Sequence, residues 1–242
     1  MAKILGIIPA RGGSKSIPRK NIKPICGKPM IAWVIETLQK SGACDRVIVS
    51  TDDKEIADVA REFGAEVPFM RPAQLAEDTT PTLPVLQHAV EWLRTHENYH
   101  PDYVVLLEPP SIVKRPFQVK EVVKLLLDTG ADSVVSVCEV PGVFSPHWQL
   151  TLGDEGRVTL FTGGTMKNVI RRRQDLPKTY YRNSAIYAFK TDLLFAPEPS
   201  LYGEDLRAYP TELKYALDID TPEDWPVAEA KFKKILEEEG TI

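Results

Sequence analysis

The sequence predicts an α/β fold: a mostly parallel sheet flanked by helices, carrying a small inserted β-rich arm. Three observations predict it. Apolar runs of strand length alternate with segments of helical period along most of the chain. The first run leads straight into a polar glycine loop, Arg11-Gly12-Gly13-Ser14-Lys15. Tyr103 to Leu107 is apolar throughout, as a strand buried on both faces of a parallel sheet has to be.

The elements follow in order. The first strand runs from Ile4 to Ala10. A helix begins near Pro29, where proline suits the first helical position, and continues to Ser41 with Gly42 as its stop. Its apolar stripe is Met30, Ile31, Val34 and Leu38. Arg46 to Thr51 is the second strand, and Asp53 to Phe63 the second helix, stopped by Gly64. Thr82 to Thr95 is helical, with Leu83, Leu86, Val90 and Leu93 on one side. Phe117 to Leu127 is another helix and Ser133 to Val140 another strand. From Pro141 to Arg182 short alternations and paired glycines replace the rhythm, so residues 141–182 form an insertion within one domain spanning 1–242. Regular order resumes at Asn183 to Phe189 and at Leu213 to Asp220. The last helix starts at Thr221, with Pro222 at its first position and Asp224 completing the cap. Trp225, Ala228, Phe232, Ile235 and Leu236 are its buried face.

Composition sets bounds. A chain of 242 residues, 43% hydrophobic and 26% charged, has enough apolar material for one large core. A net charge of −4 argues against an electrostatically driven nucleic-acid binder. The three cysteines, Cys26, Cys44 and Cys138, are widely spaced and suggest neither a disulfide framework nor a zinc site. No apolar run approaches the roughly 18 residues that span a bilayer, and the short first strand is too brief for a signal-peptide core. The expectation is a cytoplasmic protein with no membrane and no nucleic-acid partner.

Two motifs carry chemistry. In an open α/β sheet ligands bind at the carboxyl ends of strands, which is where the loop from Ala10 to Lys15 falls. Its glycines let backbone N–H groups approach an anion, and Arg11 and Lys15 add positive charge. The spacing is neither that of a P-loop nor of a dinucleotide fingerprint. On the loop alone, a polyphosphate cradle and a tight turn with solvated charges both fit. The second motif is Asp218-Ile219-Asp220. On a strand, i and i+2 share a face, which places the two carboxylates roughly 7 Å apart. With a nucleotide's phosphates they suit Mg²⁺, and without one they suit a polar strand end.

The longer strings decide between these readings. Ile8 to Lys15, Ile17-Pro18-Arg19-Lys20-Asn21-Ile22 and Gly27-Lys28-Pro29-Met30 together resemble the opening of the acylneuraminate cytidylyltransferases (CMP-sialic acid synthetases), within the sugar nucleotidyltransferases. The resemblance continues at Val49 to Asp53, Arg71 to Thr79, Arg173 to Pro177, Asn183 to Tyr187 and Leu217 to Thr221. It implies a nucleotide-diphospho-sugar transferase-like fold and a reaction in which the anomeric hydroxyl of an acidic nonulosonate attacks the α-phosphorus of CTP. It also implies nucleotide binding by Ala10, Arg11, Gly12, Gly13, Ser14 and Lys15, with Asn21, Arg71 and Thr79 or Thr80 near the cytidine. The catalytic groups implied are Arg11, Lys15, Asp218 and Asp220, the last two holding Mg²⁺. Glu108, Ser111, Arg173 and Asn183 are implied at the sugar, and residues 141–182 as a dimerisation arm exchanged between two copies. An eight-carbon acid sugar is the nearest rival acceptor, and a non-catalytic nucleotide-binding homologue the rival from another class.

One segment departs from the pattern. The related enzymes usually read Leu-Gln-Pro-Thr-Ser-Pro-(Leu/Phe)-Arg where this chain has Leu107-Glu108-Pro109-Pro110-Ser111-Ile112-Val113-Lys114. A carboxylate in place of the amide repels an acidic sugar unless Lys114 or Arg115 neutralises it, or else the sugar preference has changed. His96-Glu97-Asn98-Tyr99-His100 has the spacing of a zinc-protease helix, but Pro101 pushes His100 out of helical geometry and no third ligand is evident.

Overall fold

The computed structural model describes residues 2–240. Its main sheet is built from β1 (Ile4–Pro9), β2 (Arg46–Ser50), β3 (Tyr103–Leu106), β4 (Ser133–Glu139), β7 (Tyr180–Lys190) and β8 (Leu206–Thr211); β5 (Leu150–Leu152) and β6 (Val158–Leu160) lie between β4 and β7 in sequence. The helices are α1 (Met30–Ser41), α2 (Lys54–Glu62), α3 (Thr82–Glu97), α4 (Pro116–Thr129) and α5 (Asp224–Glu238). The strand order is β8-β4-β7-β3-β1-β2. β1 pairs in parallel with β2 and β3, and β8 with β4, whereas β7 runs antiparallel between β3 and β4.

The pleat divides each strand between two cores. Ile4, Ile8, Val47, Val49, Val105 and Val134 pack with Ile31, Val34, Ile35 and Leu38 of α1 and Val119, Val122 and Leu126 of α4. Leu5, Ile7, Ile48, Val104, Leu106 and Val135 turn the other way, onto Leu86, Ala89, Val90 and Leu93 of α3. Ile17, Ile25, Met30, Trp33, Ile112 and Val113 form a third cluster with Trp225, Phe232 and Leu236 of α5. Helix ends follow local chemistry. Gly42 and Gly130 take left-handed conformations after α1 and α4. The Asp53 carboxylate accepts from the Ile56 N–H at 3.0 Å and caps α2.

Two expectations are corrected. Residues 213–220 are not a strand: Leu213–Tyr215 is a short 3₁₀ turn, followed by chain that joins no sheet. Burial still alternates there, Leu217 and Ile219 inward and Asp218 and Asp220 outward, so both carboxylates share one side. The sheet instead gains β8, an edge strand exposed along most of its length. Second, α5 begins at Asp224 rather than Thr221, and the Asp224 carboxylate reaches back to the Thr221 and Asp220 N–H groups at 2.7 and 3.1 Å. Cys138 is buried, while Cys26 and Cys44 are only half-buried; all three are free thiols.

Residues between β4 and β7 leave the sheet. Within them β5 and β6 make an antiparallel hairpin, Leu150 opposite Leu160. Val143, Phe144, Leu152 and Phe161 are 61–78% exposed there, an apolar surface uncovered in the single chain. Among the described residues no helix is long and apolar enough to cross a membrane.

Candidate active site

The carboxyl ends of β1, β2 and β3 lie side by side in the sheet, and the chain beyond β1 and β3 lines one cavity of about 600 Å³. From β1 come Pro9, Arg11, Ser14 and Lys15; from the turn before α3, Arg71, Leu75, Asp78 and Thr80; from beyond β3, Glu108, Pro109 and Pro110. Ser16, Lys20, Asn21, Glu77, Thr82, Val85 and Asp220 complete the wall.

The glycine loop is tied to the β2–α2 corner. The Gly12 N–H donates to Asp52 Oδ1 at 3.0 Å, and a Cβ added at Gly12 would sit 2.8 Å from the Asp53 side chain. Only glycine tolerates that approach. Ala10 N–H donates to the Ser50 carbonyl at 3.0 Å, and Ser14 N–H to the Gly12 carbonyl at 3.1 Å. Asn21 Nδ2 donates to the Arg11 carbonyl at 2.9 Å, so Asn21 also fixes the loop from below.

Arg71 is a fixed cation. It is buried, with Nε donating to Ser50 Oγ at 3.1 Å, Nη2 to the Ser50 carbonyl and Nη1 to the Leu75 carbonyl at 3.4 Å. Burial pulls its guanidinium down to about 10, with Asp52 opposing and Arg11 adding to the shift. At the mouth, Arg11 Nη1 lies 2.7 Å from Asp78 Oδ1, and Lys15 pairs with the other oxygen. Lys20 is the cation that sequence reasoning passed over. Its Nζ donates to the Ile219 carbonyl at 2.7 Å and lies 3.6 Å from Asp220 Oδ1. Its signal was in the opening string, directly before Asn21.

The acidic side of the cavity holds Glu108 and Asp220, with Asp218 alongside. Thr82 Oγ1 donates to Glu108 Oε1 at 3.2 Å. Burial raises the Glu108 carboxyl, against the pull of Lys114. Lys114 is enclosed, its Nζ donating to the Ser111 carbonyl at 2.5 Å, and burial brings its ammonium down to about 7. Of the two neutralising groups expected for Glu108, Lys114 acts on it and Arg115 pairs with Glu239 instead. Burial, then the nearby Asp220 charge, raises Asp218. Two carboxylates that repel one another suit a cation whose remaining ligands would be phosphate oxygens and water. Among the described residues no group of three or more His, Cys, Asp or Glu side chains is arranged for a metal, so an all-protein cage is not what this site provides.

Four expected positions are placed differently. Thr79 is exposed on its turn and off the cavity wall, which Thr80 occupies. Ser111 is buried behind the wall, its carbonyl taken by Lys114. Asn183 is buried within the sheet, accepting from Ser136 Oγ at 2.7 Å and donating to Thr211 Oγ1 at 2.8 Å, so its amide is spent on joining β7 to β4 and β8. Arg173 lines a separate cavity of about 300 Å³ at the base of the arm with Glu139, Gly142 and Lys178. The insertion carries it away from its own chain's cavity. His100 lies beyond the left-handed Asn98 that ends α3, off the helical face of His96.

Comparison with known proteins shows what the chain and its fold are similar to. The profile of the cytidylyltransferase family matches residues 5–140. The CMP-N,N'-diacetyllegionaminic acid synthase of Legionella pneumophila is 32% identical over 236 residues, 94% of this chain and 95% of that protein. A pseudaminic acid cytidylyltransferase of Campylobacter jejuni is 32% identical, covering 96% of this chain and 97% of its own length. N-acylneuraminate cytidylyltransferase A of Danio rerio is 33% identical over 94% of this chain, which spans half of it. Among solved structures, CMP:2-keto-3-deoxy-manno-octonic acid synthetase complexed with CTP shares the fold, with a TM-score of 0.69 at 20% identity over 97% of this chain and 100% of that one.

Proposed function

The chain belongs to the cytidylyltransferase family, and from that premise we propose that it transfers CMP from CTP to the anomeric hydroxyl of an acidic nonulosonate sugar, releasing pyrophosphate. The observation that carries the reading is the gathering of four cations in one cavity at the glycine loop: Arg11 and Lys15, which Asp78 partly offsets, with Arg71 and Lys20, while Glu108 and Asp220 lie farther along the wall. A polyanionic nucleotide is drawn to the cations, and the carboxylates are left for a metal and an acceptor.

Transfer of this kind relies on positioning and on neutralising charge as it develops. Arg11, Ser14 and Lys15 hold the triphosphate, and Asn21, Arg71 and Thr80 surround the nucleoside. Arg11 and Lys15 then offset charge on the departing pyrophosphate. Lys20, anchored on the Ile219 carbonyl, keeps a positive charge beside Asp220. Asp218 and Asp220 would hold Mg²⁺, which when bound supplies charge neutralisation at the α-phosphate and makes the attacking hydroxyl more acidic.

The uncovered apolar arm supports a homodimer in which each arm packs on the other copy. In that arrangement Arg173 binds the sugar carboxylate in the partner's cavity, as a bidentate fork suits. We place this activity in the cytoplasm, where CTP is available to it.

Pyrophosphate release with CTP and Mg²⁺ across a panel of acid sugars tests the reading. Turnover with at least one nonulosonate, and none without Mg²⁺, is the expected result. Turnover only with an eight-carbon acid would move the acceptor assignment, and CTP binding without turnover on any acid would overturn it.

A further inference from the structure

We propose that Glu108 sets acceptor specificity, selecting an acid sugar that carries a basic nitrogen, an amine or an amidine, on the part it turns toward the Glu108 carboxylate. The inference rests on the transferase reading above and deepens it.

Glu108 is half-buried on the cavity wall and, among the described residues, forms no ion pair. Its side-chain hydrogen bond, from the neutral Thr82 hydroxyl at 3.2 Å, engages Oε1. The other cations of the wall are engaged elsewhere: Arg11 and Lys15 with Asp78, Lys20 beside Asp220. Lys114 lies behind the wall, its Nζ held on the Ser111 carbonyl at 2.5 Å and closed off from any ligand. One ammonium acting on both Glu108 and Asp218 leaves the corner negative. A carboxylate withdrawn from water needs a cationic or hydrogen-bond-donating partner, and here the open side of the cavity is where one enters.

The chemistry of the acceptor says which part of it arrives there. In a nonulosonate the acid group sits on the anomeric carbon, so it stays with the reacting phosphate. Glu108 shares the wall with Asp220, and a carboxylate there repels the sugar's own acid group. The sugar therefore has to turn a different substituent toward Glu108. A carboxylate only accepts hydrogen bonds, so a carbonyl presented to it opposes lone pair to lone pair. A cationic N–H forms a charge-assisted bond, roughly twice as strong as a neutral one.

The test uses two nonulosonates that differ in one group, an N-acetyl against the isosteric N-acetimidoyl, with the full-length enzyme and its E108Q variant, also isosteric. Wild type is expected to favour the amidine in kcat/KM by on the order of tenfold, as one charged hydrogen bond gives. E108Q should bring the two sugars within about twofold while leaving the KM for CTP unchanged. Equal use of both sugars by wild type, or a preference that survives in E108Q, would overturn the proposal. So would an E108Q that slows both sugars alike and raises the Mg²⁺ requirement, because Glu108 would then serve the metal. Wild type inactive on both sugars would instead strike at the transferase reading, and this inference would fall with it.

Discussion

The Asp78 carboxylate lies 2.7 Å from the Arg11 guanidinium and shares its other oxygen with Lys15. The two cations, Lys15 foremost, hold the Asp78 carboxyl below the usual carboxylate range. Both pairs are open to water, and both cations are those assigned to the triphosphate. Asp78 thus stands where an anionic ligand would, and in the proposed reaction CTP displaces it. Replacing Asp78 by Asn removes the competitor without changing shape. CTP binding by calorimetry should tighten roughly two- to fivefold, the modest effect of exposed ion pairs, and the gain should shrink in high salt. Weaker binding in the variant would mean that Asp78 contacts the nucleotide itself.

Lys15 lines the cavity and Asp218 lies beside its wall, next to Asp220; both are catalytic in the proposed reaction. Lys15→Ala removes a charge placed for the leaving group, and Asp218→Ala half of the carboxylate pair. Each should lower kcat by on the order of 100-fold in a pyrophosphate assay at saturating CTP. Near wild-type turnover in Lys15→Ala would remove that residue from the catalytic set.

Asn183 makes the opposite forecast. Its amide joins Ser136 and Thr211 inside the sheet and does not face the cavity. Asn183→Ala should cost about 1–3 kcal/mol in urea unfolding, the penalty for leaving buried partners unsatisfied. The KM for the sugar should stay unchanged. A variant of normal stability with a raised sugar KM would return Asn183 to the binding site.

How far the sequence spoke depended on whether the signal was local. Ile4 to Pro9 and Tyr103 to Leu106 are apolar on both faces because both faces are covered, so their strands could be read directly. Edge strand β8 could not: Leu206-Arg207-Ala208-Tyr209-Pro210-Thr211 faces water along much of its length, and its proline is tolerated only because an edge leaves one side unpaired. The alternation of residues 217–220 was legible, but whether a partner strand lay alongside was not. At the site, the glycine loop announced Arg11 and Lys15. The roles of Asp78 and Lys20 emerge only when residues about 60 and 200 positions distant are brought beside them, which no local pattern encodes.

The arm presents Phe144 and Leu152 at 65% and 78% exposure. If a second copy covers them, Phe144→Asp with Leu152→Asp should turn a dimer into a monomer in sedimentation velocity. Activity should fall with it if the partner supplies Arg173, and Arg173→Ala should then raise the sugar KM in a protein that remains dimeric. A wild-type monomer at micromolar concentration would end the dimer proposal.

Lys114 gives a pH dependence whose sign follows from its burial. In the unfolded chain its ammonium holds its proton to about 10.4, whereas in the folded protein burial lowers it to about 7. Between those values the unfolded state binds more protons, so raising the pH favours the folded state. Below about 7 both states are protonated, and the full cost of the buried ammonium is present and constant. Lys114→Met removes the titration and keeps the bulk of the stem. The stability of wild type relative to this variant should therefore climb from pH 7 toward pH 10, by at most about 1.4 kcal/mol per unit. Urea unfolding of both proteins at several pH values isolates the effect, since groups common to both cancel. A flat difference would show that Lys114 stays charged throughout, held by Glu108 and Asp218 more firmly than its burial opposes.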